Sequence, residues 1–116
     1  MQGTRTATHR HASETSAAEH LALMADLFGI LADPSRLRIL MSLRDHDEVC
    51  VSELANGSGI TESAVSHALR TLRAYDIVET RREGRRIFYT LVDEHVRILL
   101  DATAEHFDRA HHRSLR

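Results

Sequence analysis

Apolar residues recur along this chain at two spacings, and each spacing predicts a different element. From about Ser16 to Leu31, the residues Leu21, Met24, Leu27, Phe28 and Leu31 repeat at the period of one helix face. Ser13 and Ser16 are candidate caps for this helix. Asp33-Pro34 ends the pattern. An aspartate carboxylate caps a helix, and proline fits its first turn because it has no N–H to leave unpaired. A second helix, to about Arg44, turns Leu37, Leu40, Met41 and Leu43 inward, and the acidic stretch Asp45 to Glu48 reads as a loop. A short third helix runs from Val51 or Ser52 to about Gly57; Ser58-Gly59 makes the turn, with Ile60 beneath it. Thr61 caps a fourth helix to about Tyr75, whose inward stripe is Val65, Ala68, Leu69 and Leu72. The period then drops to two. Ile77 to Arg82 and Arg85 to Val92 flank Glu83-Gly84, where glycine permits a positive φ, and predict a β-hairpin with an arginine-rich tip. Asp93 caps a last helix to about His111, with Val96, Leu99, Leu100, Thr103 and Phe107 along one side.

The order α-α-α-α-β-β-α predicts a mainly α fold with one hairpin, a winged helix-turn-helix. Residues 1–15 read as a disordered tail, 16–112 as the DNA-binding and dimerisation domain, and 113–116 as a second tail. At 116 residues, with 42% apolar and 28% charged, the chain has the make-up of one globular domain. The one cysteine, Cys50, excludes an intrachain disulfide and a four-cysteine zinc site, which favours a reducing, cytoplasmic setting. No apolar run is long enough to span a membrane, and the polar N-terminus lacks a secretory h-region. Gly-rich phosphate loops, His-Glu-x-x-His and Gly-x-Ser-x-Gly are absent, so no enzyme is predicted.

Charge sharpens the picture. The formal net charge is −2, yet it is unevenly spread. Ala17 to Ile60 holds seven acids against three arginines, and Thr61 to Val92 holds six arginines against four acids. Local basicity of this kind suits one face that meets a polyanion. The second helix of a helix-turn-helix enters the major groove, and needs short polar groups for close approach and cations for phosphates or guanine edges. Ser63, Ser66, His67 and Arg70 supply that set on the fourth helix. On the hairpin, Arg81, Arg82, Arg85 and Arg86 are placed to reach a flanking phosphate or minor groove.

Three segments carry a more specific resemblance: FGILADPSRLRILMSLR at 28–44, VCVSELANGSGITESAVSHALRTLR at 49–73 and GRRIFYTL at 84–91. Together they resemble the ArsR/SmtB family of metal-responsive repressors over roughly residues 20–112. The resemblance implies a homodimer that binds double-stranded operator DNA and is released by a metal ion, on genes for metal efflux or storage.

The nine histidines are the compositional oddity, and the last helix gives two of them a meaning. His106 lies eleven residues beyond His95, about 20° past three full turns, so both share one face. Yet they stand roughly 16 Å apart along the axis, too far for one ion with bonds of about 2 Å. Two such helices packed antiparallel bring His95 of one beside His106 of the other, which predicts two symmetric intersubunit sites. The SmtB-like pattern, Asp-x-His, ten residues, His, two residues, then Glu or His, is met by Asp93, His95 and His106. Its fourth position holds Arg109, which cannot ligate. His111 is the preferred substitute, with Asp108, His112 or water as alternatives. Imidazole and carboxylate donors suit Zn2+ first, and Ni2+ or Co2+ next. Cys50 matches a family cysteine at the start of the third helix, and with Glu53, His9 and His11 forms a second candidate set. A regulator of the same fold answering a non-metal signal is the competing reading.

Overall fold

The computed structural model describes the backbone of residues 2–115 and the side chains of residues 16–110. It divides into two units, Met1–Asp33 and Pro34–Arg116. The first holds helix α1, Gln2–Leu31. Its Leu21, Met24 and Phe28 are all more than half exposed. The tails expected at 1–15 and 113–116 fall on residues whose side chains lie outside the described ones.

The second unit runs α2 (Pro34–Asp45), β1 (Val49–Cys50), α3 (Val51–Ser58), α4 (Glu62–Ala74), β2 (Val78–Glu83), β3 (Arg86–Leu91) and α5 (Glu94–Leu115). All three strands are antiparallel, in the order β1-β3-β2. This is the predicted winged helix-turn-helix with one strand added. β1 pairs Val49 with Tyr89 and Cys50 with Phe88, and so covers backbone groups on the outer edge of β3. A two-residue strand has no periodicity to read, which is why the sequence pattern passed over it.

The turns follow from their residues. Thr61 caps α4, its hydroxyl accepting from the N–H of Ala64 at 3.1 Å. Gly59 closes α3 in the left-handed region, with φ 73°. Gly84, at φ 63°, opens the two-residue turn that joins Glu83 to Arg86. Positive φ at the first central position is what a tight hairpin of this twist requires. α4 ends without glycine: Asp76 takes φ 56° instead. The N–H groups of Asp76 and Ile77 then bond the carbonyls of Arg73 and Leu72, both at 3.0 Å. That pair of bonds, with Leu72 and Ile77 both fully buried, is a Schellman closure.

The core gathers Ile39, Leu40 and Leu43 of α2, Leu54 of α3, and Val65, Ala68, Leu69 and Leu72 of α4. Val49 and Cys50 of β1, with Ile77, Val78, Leu91, Val96 and Leu100, complete it. The α4 stripe is the predicted one. On α2 the inward face is rotated: Leu37 is 39% exposed and Ile39 is wholly buried. The two lie two residues, about 200°, apart on the helix, so only one can face the core. α5 is fixed to the unit by polar contacts as well. Arg97 donates to the carbonyls of Leu91 (3.1 Å) and Arg44 (3.4 Å), and Arg44 pairs with Asp101 at 2.5 Å. Ile98 and Phe107 of α5 remain exposed, at 59% and 68%.

Candidate functional site

The exposed side of α4 follows from its buried one. Burying Val65, Ala68, Leu69 and Leu72 turns the positions two residues away outward. Ser63, His67 and Arg70 are exposed there, and Ser66 is half-buried. The four fall on one stripe at helical spacing, beginning in the first turn, where unpaired N–H groups favour phosphate. Arg82, Arg85 and Arg86 are likewise exposed at the end of the hairpin. Helix and hairpin together bound a cleft of about 370 Å³. Glu62 and Ser66 line it from α4, Arg85, Arg86, Ile87 and Tyr89 from the hairpin, and Cys50, Val51 and Ser52 from the start of α3. Two groups of residues singled out separately in the sequence, Ser66 on α4 and Arg85 and Arg86 on the hairpin, thus share one concavity. Tyr89 and Ser52 join them. They gave no separate signal, since a tyrosine in a strand reads first as packing.

Arg81 differs from its neighbours. Its guanidinium bonds Glu48 and Glu83, each at 2.9 Å, and lies over the Phe88 ring at 4.9 Å from the centroid. The two carboxylates hold its pKa above the ordinary arginine value. It is therefore engaged within the protein, unlike the phosphate-reaching group the sequence suggested.

On α5, Asp93 is the expected cap: Oδ1 accepts from the N–H groups of His95 (3.0 Å) and Val96 (3.1 Å). His95 and His106 are both exposed, and His106 packs edge-on against Phe107. Arg109, at the fourth position of the ligand pattern, is ion-paired with Glu105 one turn back. His111, the preferred substitute, lies outside the described side chains, as do His112, His9 and His11. Among the described residues no group of three or more His, Cys, Asp or Glu converges to hold an ion. The donor types fit a divalent metal, but of the three described donors in the pattern Asp93 and His95 stand at one end of the helix. His106 stands three turns away.

Cys50 is buried, and its thiol donates to Oε1 of Glu53 at 2.8 Å, with the Ser52 hydroxyl 3.3 Å away. The Glu53 carboxylate, itself exposed, is held below its ordinary pKa, chiefly by that thiol bond and partly by the Arg86 charge. Cys50 and Glu53 are thus in contact across one helical turn.

The architecture has known relatives. The profile of the bacterial regulatory protein, arsR family, matches residues 33–80. The transcriptional repressor SmtB homolog of Synechocystis sp. is 44% identical over 97 residues, 84% of this chain and 73% of that one. The HTH-type transcriptional regulator NmtR of Mycobacterium tuberculosis is 44% identical over 90 residues, 78% and 74% of the two chains. Among solved structures, the AntR antimony-specific transcriptional repressor superposes with a TM-score of 0.74 at 32% identity, covering 79% of this chain and 83% of that one. Helix-turn-helix, hairpin and sequence therefore agree, and the chain belongs to the ArsR family of DNA-binding transcriptional regulators.

Proposed function

We propose that this chain is a metal-responsive repressor that binds operator DNA as a homodimer and releases it when a divalent ion, Zn2+ first and Ni2+ or Co2+ next, joins the two α5 helices. The observation that carries the reading is the layout of α5. Asp93 and His95 stand at one end of an exposed helical face and His106 at the other, on a helix bonded through Arg97 to the ends of both α2 and β3. Donors spread over three turns serve an ion only when a second copy supplies the missing half. The exposed Leu21, Met24 and Phe28 of α1, and Ile98 and Phe107 of α5, are apolar surface that a second copy would cover. That relatives include repressors, one of them antimony-specific, supports the same reading.

On DNA, Ser63, Ser66, His67 and Arg70 enter the major groove, and Arg82, Arg85 and Arg86 hold the flanking backbone. Metal acts by stabilising the dimer geometry in which the two recognition helices fit the operator poorly. The coupling is reciprocal and of order 1–3 kcal/mol. Asp93, His95 and His106, with His111 as fourth donor, hold the ion. Cys50, Glu53, His9 and His11 remain a second set. A cytoplasmic location goes with this role. One observation favours a second reading: Arg109 occupies the fourth ligand position and is ion-paired with Glu105. That suits a regulator answering a non-metal signal.

The test is to select an operator from a random duplex library, then titrate Zn2+, Ni2+ and Co2+ into the protein–operator complex by fluorescence anisotropy. Release by one of them, lost in the His95→Ala/His106→Ala double variant while DNA binding is kept, supports the metal reading. Equal affinity with and without every ion favours the second.

A further inference from the structure

The hairpin changes character halfway along. β1 pairs only with Tyr89 and Phe88 of β3, so the sheet is three strands wide at the row Cys50, Phe88, Arg81. Beyond that row it is a two-stranded ribbon, Arg82 opposite Ile87 and Glu83 opposite Arg86, closed by Gly84-Arg85. A lone two-stranded ribbon is marginally stable and free to twist. Every wing arginine assigned to DNA sits on this free part. Its aim must be set at its base.

Arg81 stands at that base. It lies on β2, one edge of the sheet, and its guanidinium crosses the central strand over the Phe88 ring, 4.9 Å from the centroid. On the far side it reaches Glu48, which immediately precedes β1 on the other edge, at 2.9 Å from Nε. Its Nη1 bonds Glu83, two residues along its own strand and within the ribbon, at 2.9 Å. One side chain therefore ties both edges of the sheet to Glu83, the last strand residue of the ribbon. An isolated surface pair contributes little, but a planar guanidinium held by two carboxylates and an aromatic face is a network with one geometry.

We infer that Arg81 is a wing-positioning residue: it makes no DNA contact and fixes the direction in which Arg82, Arg85 and Arg86 leave the sheet. The inference rests on the wing meeting DNA, as proposed above. Each phosphate contact adds about 0.9 to the slope of log affinity against log salt. Without the strap the wing arginines still reach their phosphates, but the ribbon must be ordered on binding, so affinity falls while the slope is kept.

The experiment measures operator affinity across a salt series for the full-length protein, with circular dichroism and thermal melting as a check on folding. Arg81→Gln is expected to bind about fivefold more weakly with an unchanged salt slope. Arg82→Gln or Arg85→Gln should lower the slope by about 0.9. Glu48→Gln gives the sharpest sign. Deleting an acid near DNA ordinarily strengthens binding, whereas loss of the strap predicts weaker binding. The double variant Glu48→Gln/Arg81→Gln should lose no more than Arg81→Gln alone. The inference is overturned if Arg81→Gln lowers the salt slope by about 0.9, if it leaves affinity unchanged, or if Glu48→Gln tightens binding. Should Arg82→Gln and Arg85→Gln both leave the slope unchanged, the wing's contact with DNA is what has failed.

Discussion

The Cys50 thiol donates a hydrogen bond to the Glu53 carboxylate at 2.8 Å, across the first turn of α3. This bond is the largest cause of the lowered Glu53 pKa. A carboxylate whose folded pKa is depressed stabilises the fold fully above its unfolded value, and that contribution is lost as pH falls through the folded one. Cys50→Ala should therefore raise the Glu53 pKa toward the ordinary glutamate value. Side-chain carboxyl NMR titration of both proteins checks it, and identical Glu53 curves would show that the thiol bond is not formed in solution.

Asp93 carries an observed capping role and a proposed sensing role on one carboxylate. Its carboxylate caps α5 through the N–H groups of His95 and Val96, and it is also a proposed ligand. Asp93→Ala should cost about 1 kcal/mol of stability, the usual worth of a cap. Asp93→Asn keeps an acceptor for the cap, and should melt close to the parent while losing most of the metal response. Equal metal response in Asp93→Asn and parent would remove Asp93 from the ligand set.

Thr61 does the same service for α4 through its bond to Ala64. Thr61→Ala should lower unfolding free energy by roughly 0.5–2 kcal/mol in urea denaturation, and Thr61→Ser should restore most of it. Because this cap orders the turn that presents Ser63 and Ser66, operator affinity should fall along with stability.

Arg70 is exposed on the same stripe as Ser63 and His67. Replacing it with alanine is expected to reduce discrimination between operator and random duplex by about 1–3 kcal/mol, the value of one base-edge contact. Competition binding separates this from a phosphate contact, whose loss weakens both duplexes alike.

How much of this was legible beforehand depends on how local each feature is. The α4 stripe, the Thr61 and Asp93 caps and the Gly84 turn each follow from a few adjacent residues, and all appear where the pattern placed them. Leu37 and Ile39 exchanged roles because both are apolar, and which faces inward is settled by the elements packed on α2. Asp76 closes α4 in the left-handed region that glycine or asparagine usually fills, so the helix end was readable from the change of period but its closure was not. The Arg81 strap joins positions 48, 81, 83 and 88. It could not be read without β1, which brings Glu48 beside the hairpin. Of the proposed sites, the DNA-facing stripe was legible because it is the complement of a core stripe. The α5 donors were legible only as a spacing, since His95 and His106 stand three turns apart on one helix and no described side chain of this chain brings them together.

Only Val92 and Asp93 separate the last residue of β3 from the first of α5. Both of their N–H groups bond the carbonyl of Ile77, at 3.0 and 3.3 Å, and Arg97 on α5 holds the carbonyl of Leu91. The connection therefore has no slack. The two residues that link the wing to the last helix thus hang from a single carbonyl, that of Ile77.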